Sequence, residues 1–168
     1  SINSISALSG AEDLEQIHAY NNSISTLDGL QNATKLERAN FGRNSLTDVS
    51  QLTNLTDLEY LGLHHNENLV NVASLSLLVE LENLELQNCN VQNISALAGM
   101  VDMESLNLNS NDISDISPLT ALDELKYLRI TGSDLSGMAN LSALSGMTDL
   151  VYLEMNECEI ESLSGLEN

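Results

Sequence analysis

The chain has 168 residues, and 25 acidic against 5 basic side chains leave a formal charge of −20 at pH 7. That balance works against any partner presenting exposed phosphates, so nucleic acid is not an expected ligand. No run of about 18 or more apolar residues is available to cross a bilayer. With no Trp, one Phe and one Pro, the core has to be aliphatic.

The chain opens inside a periodic unit: Ile2, Ile5, Leu8 and Ala11 step by three. Strand segments then open at Leu14, Leu36, Leu58, Leu81, Met103, Leu125 and Leu150, at intervals of 22, 22, 23, 22, 22 and 25 residues. Met103 to Glu124 shows the unit most plainly, with Met103, Leu106 and Leu108, then Asn111, then Ile113, Ile116, Leu119 and Leu122. Leu106 and Leu108 face one side of an extended segment, because strand side chains alternate. The later step of three suits tight 3₁₀-like or polyproline-like turns. One unit cannot bury these residues alone, whereas stacked units set each leucine on its equivalent roughly 4.8 Å away. This is a leucine-rich repeat of about 22 residues. It predicts an α/β-type leucine-rich repeat solenoid with a parallel sheet of about seven strands on one side and short 3₁₀ or irregular turns on the other.

Two units depart from the common length. The third carries one additional residue in Asn66-Glu67-Asn68-Leu69, which predicts a local bulge after the third strand. The sixth carries three more and keeps the step of three through Leu135, Met138, Leu141, Leu144, Met147 and Leu150, an extra convex turn that leaves strand register unchanged. At the far end Ile160, Leu163 and Leu166 occupy the same slots as Ile2, Ile5 and Leu8 do in turn at the start. The expected organisation is one solenoid over residues 1–168 that begins and ends in mid-repeat, an uncapped fragment of a longer protein.

Counting from each strand-opening residue, the ninth place reads Asn22, Asn44, Asn66, Cys89, Asn111, Ser133 and Cys158. The chain leaves the strand there, and an inward amide can serve backbone groups of its own coil and of the next. Both cysteines fill slots of this ladder, three repeats and on the order of 15 Å apart at the strand spacing, too far for a disulfide. Buried free thiols are expected.

Asn111 to Leu128 (NDISDISPLTALDELKYL) and Leu52 to Asn66 (LTNLTDLEYLGLHHN) resemble the internalin type of bacterial leucine-rich repeat, and the likeness runs through nearly all of the chain. The resemblance implies a curved, right-handed solenoid whose parallel sheet lines the concave side. It implies a secreted or cell-surface bacterial protein that binds a host surface protein through that concave face. A similar 22-residue pattern occurs in the intracellular regulatory subunit of a eukaryotic protein phosphatase, which implies the same fold at a different address.

Places three, five, seven and eight of each unit are expected to project from the sheet or its exit. They hold all four tyrosines, all three histidines and all three arginines of the chain. Tyr and Arg combine contact area with polar groups and are the usual anchors of interfaces. The expected partner-binding residues over the first three strands are His18, Tyr20, Arg38, Asn40, Arg43, Tyr60, His64 and His65. Gly42 and Gly62 are expected to leave a hollow among them for an inserted partner side chain. A second cluster is expected at Tyr127, Arg129 and Tyr152.

Place two is a column of like charge, Glu15, Glu37, Glu59, Glu82, Glu104 and then Lys126, beside Asp13, Lys35, Asp57, Glu80, Asp102, Glu124 and Asp149. A solvated rim is expected, since no calcium-binding loop accompanies it. No metal site, cofactor or catalytic residue is expected: no nucleophile elbow, phosphate loop, dinucleotide fingerprint or paired-histidine zinc motif is present. Three functions fit: a non-catalytic scaffold binding another protein, an intracellular scaffold or phosphatase-regulator type of repeat, and a carbohydrate or cell-wall binding module that would stack sugars on Tyr60, Tyr127 and Tyr152.

Overall fold

A computed structural model describes residues 1–137 and 140–166. Seven three-residue strands form a single sheet in sequence order: β1 (Gln16–His18), β2 (Arg38–Asn40), β3 (Tyr60–Gly62), β4 (Asn83–Glu85), β5 (Ser105–Asn107), β6 (Tyr127–Arg129) and β7 (Tyr152–Glu154). All six pairings are parallel and join equivalent places of successive units. The chain is thus a leucine-rich repeat solenoid of the predicted kind. Short 3₁₀ turns, among them Ser50–Leu52, Ala73–Leu77, Ser95–Gly99 and Ser117–Leu119, lie between strands. Asp48, Asn71, Asn93, Asp115 and Asn140 each accept the backbone N–H two residues on, at the start of such a turn. These side chains mimic a backbone turn and hold the loop tight.

The middle residue of each strand points inward. Ala39, Leu61, Leu84, Leu106 and Leu128 are all buried, and Leu36, Leu58, Leu81, Met103 and Leu125 form a second buried column. Each fully buried leucine contributes on the order of 1.5–3 kcal/mol, and each reaches that burial only through the coils on either side. In the end coils the same columns are only partly buried, at Leu14 and Ile17 and at Leu150 and Leu153.

Backbone groups at the strand exit are satisfied between coils. Asn66 Nδ2 donates to Leu63 O at 2.6 Å in its own coil and to Phe41 O at 3.1 Å in the preceding one, while its Oδ1 accepts Leu46 N–H at 2.9 Å. Asn44 and Asn111 repeat the arrangement. The two thiols, buried and unbonded, keep half of it: Cys158 Sγ donates to Ile130 O at 3.1 Å and Cys89 Sγ to Leu63 O at 3.5 Å. Burial raises both thiol pKa values, that of Cys89 to about 11.

The additional residue of the third unit forms a turn instead of the expected bulge. Leu69 N–H donates to Asn66 O at 2.9 Å, closing Asn66–Leu69 into a four-residue turn, and the β3–β4 pairing is unbroken. The insertion falls after the ladder ends, so no strand has to absorb it. It also replaces a lost bond. Ile24, Leu46 and Val91 give their N–H groups to the next coil's asparagine, but the slot beyond Leu69 holds Cys89, and the turn supplies a backbone acceptor instead. Of the lengthened sixth unit, Met138 lies outside the described residues. Its strand register is unchanged, with β6 pairing β7 at Tyr127↔Tyr152.

Place eight was not legible as a backbone feature. Asn21, Arg43, His65, Asn88, Ser110, Gly132 and Glu157 all take a left-handed conformation, with φ between 52° and 78°. From Asn21 to Gly132, the N–H of this residue donates to the place-seven carbonyl of the next coil. Six of these seven residues carry a Cβ and adopt this conformation at a steric cost of about 1 kcal/mol or more each.

Two stability changes follow. Replacing Asn66 by Ala, which strands three buried backbone groups, is expected to cost about 3 kcal/mol or more in urea denaturation. The equivalent change at the more exposed Asn22 should cost clearly less. Ser110→Gly, which copies Gly132 in the next coil, is expected to raise stability by up to about 1 kcal/mol, and an unchanged or lowered urea midpoint would contradict the strain.

Candidate partner-binding face

The first and last residues of each strand point away from the core, so pairing register alone sets two rows on the outer face of the sheet. One row is Gln16, Arg38, Tyr60, Asn83, Ser105, Tyr127 and Tyr152; the other is His18, Asn40, Gly62, Glu85, Asn107, Arg129 and Glu154. Arg38, Asn40, Tyr60, Tyr127, Arg129 and Tyr152 therefore share one surface with His18. Tyr20, Arg43, His64 and His65 lie just past the strand ends, where the chain exits the sheet.

Most of the first group is brought together. The Arg38 guanidinium sits 5.0 Å from the centroid of Tyr60, and Asn40 Nδ2 donates to Tyr60 Oη at 3.2 Å. Burial and the Glu85 carboxylate push the Tyr60 hydroxyl up to about 12, so the phenol is neutral across the physiological range. Tyr20 and His64 rings lie 5.6 Å apart, His64 and His65 rings 5.7 Å apart edge to face, and Arg43 Nη2 is 3.4 Å from His65 Nε2. His18 is exposed at the end of β1 and makes none of these contacts.

His64 differs from its neighbours. It is buried, and its Nδ1 lies 3.0 Å from Glu85 Oε2, within ion-pair range though without an aligned hydrogen bond. Burial lowers its pKa, Glu85 opposes that shift, and His65 and Arg43 reinforce it. The imidazole is therefore neutral at pH 7 and sits beneath the patch as its support. His64 and His65 do not follow strand alternation, since β3 ends at Gly62 and His65 is left-handed.

The expected hollow is filled. A Cβ at Gly42 would overlap the His64 ring, and one at Gly62 would lie 3.0 Å from Asn40 Cγ. Both glycines make room for side chains of the adjacent coil, which the spacing of residues within one coil could not reveal.

The second cluster has a comparable build. Arg129 lies 4.9 Å from the Tyr152 centroid, Arg129 Nε is 3.6 Å from Glu154 Oε2, and Tyr152 Oη is 3.3 Å from the same carboxylate oxygen. Tyr127 is exposed beside Tyr152 in register. Three strand spacings, about 14 Å, separate this cluster from Tyr60. The sugar-stacking row expected of Tyr60, Tyr127 and Tyr152 is interrupted by Asn83 and Ser105. Glu85 and Glu154 join the two clusters and were not singled out from the sequence. The signal for them is positional: an acid at place five, on the same strand as a tyrosine or on the strand beside it.

Among the described residues no helix is long and apolar enough to cross a membrane. Residues 79–121 match the family profile "Leucine Rich repeats (2 copies)". No curated protein matches the sequence. Among solved structures, an internalin, InlF, from Listeria monocytogenes aligns with 98% of this chain at 28% identity and a TM-score of 0.84, over 54% of its own length. Internalin C2 of the same species aligns with 95% of this chain at 26% identity and a TM-score of 0.78, over 79% of its own length. A plant peptide hormone receptor, RGFR1, solved in complex with RGF2, aligns with 94% of this chain at 16% identity and a TM-score of 0.74, over 31% of its own length; this likeness is one of fold. The chain thus spans about half the length of the first internalin. An open sheet of this kind is commonly a surface for binding other proteins, and typically a non-catalytic one. The repeat spacing, the seven-stranded parallel sheet and these similarities together identify the chain as a leucine-rich repeat protein, similar in fold to the Listeria internalins.

Proposed function

We propose that the chain is a non-catalytic scaffold that engages another protein through the outer, concave face of its sheet, as part of a bacterial surface-exposed or secreted protein. One observation carries this reading. In a molecule of charge −20, the three arginines lie on or beside one face, two of them stacked on tyrosines. Such pairs are pre-ordered, so little side-chain freedom is lost when a partner covers them. Arg38, Tyr60, Asn40, Tyr20, Arg43 and His65 form the main contact area, with His18 at its margin and His64 and Glu85 underneath. Tyr127, Arg129 and Tyr152 form a second, smaller area, and a partner touching both has to span at least three strands. The bacterial surface assignment rests on the likeness to Listeria internalins. It makes a host surface protein the partner of choice.

A partner identified by cross-linking and mass spectrometry from host-cell membranes is expected to bind the Arg38→Ala, Tyr60→Ala double variant at least about tenfold more weakly than the wild type. A control pair on the turn side, Asn54→Ala with Ser76→Ala, should leave its affinity unchanged. Undiminished binding by the face variant, with a thermal midpoint close to wild type, would remove the assignment.

A further inference from the structure

The edge where the chain enters the sheet carries a second feature. Its two lysines are both consumed by the carboxylates of the preceding coil: Lys35 Nζ lies 2.5 Å from Asp13 Oδ1, and Lys126 Nζ 2.6 Å from Glu104 Oε1. Between these two ion pairs runs an open groove walled by Glu37, Asp57, Glu59, Glu80, Glu82 and Asp102. No basic side chain lines it. Carboxylates on neighbouring coils are repeated at about the strand spacing of 4.8 Å, so they repel one another along the groove.

The floor of the same groove is apolar. Leu77 and Val79 line it and are 55% and 40% exposed; Val101, which holds the place of Val79 in the next unit, is 48% exposed. Other units have Thr34, Thr56 or Asp123 where these two valines stand. Two unfavourable features, charge without a cationic partner and aliphatic surface held against water, therefore coincide in the second to fourth coils, and one occupant relieves both.

We propose that this groove docks a cationic segment of a partner protein, rich in Lys or Arg and interspersed with apolar side chains. The carboxylates are strung along the stack, and among the described residues no three or more acid, His or Cys side chains converge as metal ligands would. A chain carrying charges at intervals matches that layout, whereas a point cation does not. The groove lies along the edge of the sheet and its lining includes neither Arg38 nor Tyr60, so the inference does not rest on the face assignment.

The probe is a fluorescein-labelled eight-residue peptide of alternating lysine and leucine, followed by anisotropy at about 0.15 M salt, where contacts beyond about 8 Å are screened. The wild type is expected to bind it more tightly than an all-lysine peptide of equal length. Glu59→Gln with Glu82→Gln should weaken binding about tenfold, a loss equivalent to about 1.4 kcal/mol, and Leu77→Ser should weaken it about threefold, neither with a lowered thermal midpoint. A control of identical net charge, Glu67→Gln with Glu161→Gln, and the Arg38→Ala, Tyr60→Ala variant should both bind as the wild type does. Wild-type affinity in the groove variant, equal loss in the charge control, or equal affinity for the all-lysine peptide would each overturn the proposal.

Discussion

Each coil exposes a row of leucines toward the coil before it and another toward the coil after it, and the structure depends on those rows meeting in register. The requirement is strict because the strands are only three residues long. A slip of one residue would turn Leu61 or Leu106 outward and bring Tyr60 or Ser105 into the core. The ninth-place side chains enforce the correct stagger, since Asn66 or Asn111 can satisfy carbonyls of two coils at once only when those coils are aligned. Packing thus supplies most of the energy, and the amide ladder supplies the alignment.

The same register makes the binding face. A residue's row is decided by its place in the repeat, so Arg38 meets Tyr60, and Arg129 meets Tyr152, through pairing across coils rather than through nearness in sequence. The repeat spacing was therefore enough to read the strand positions, the buried columns, the ladder slots and the residues that share the outer face. What it could not show was how neighbouring coils fill each other's gaps. Gly42 looked like vacant space until the His64 ring was seen to occupy it, and Glu85 looked like one more acid until it was seen between Tyr60 and His64.

The third unit illustrates the same limit. Its additional residue reads as an irregularity when the coil is considered alone. Beside its neighbour it has a clear role, because Cys89 lacks the carbonyl oxygen that an asparagine would present, and the Asn66–Leu69 turn gives the Leu69 amide another acceptor. The departure in one unit and the substitution in the next offset each other.

The left-handed residue at every strand exit separates two kinds of information. From Asn21 to Gly132 its backbone is tied to the following coil, while its side chain is no part of the buried leucine columns, and Asn, Arg, His, Ser, Gly and Glu all occupy the place. With the steric toll levied by the main chain and nearly independent of which L-residue is present, mutation can rewrite the chemistry along this margin one coil at a time. A lineage could thus exchange ligands without ever renegotiating its core.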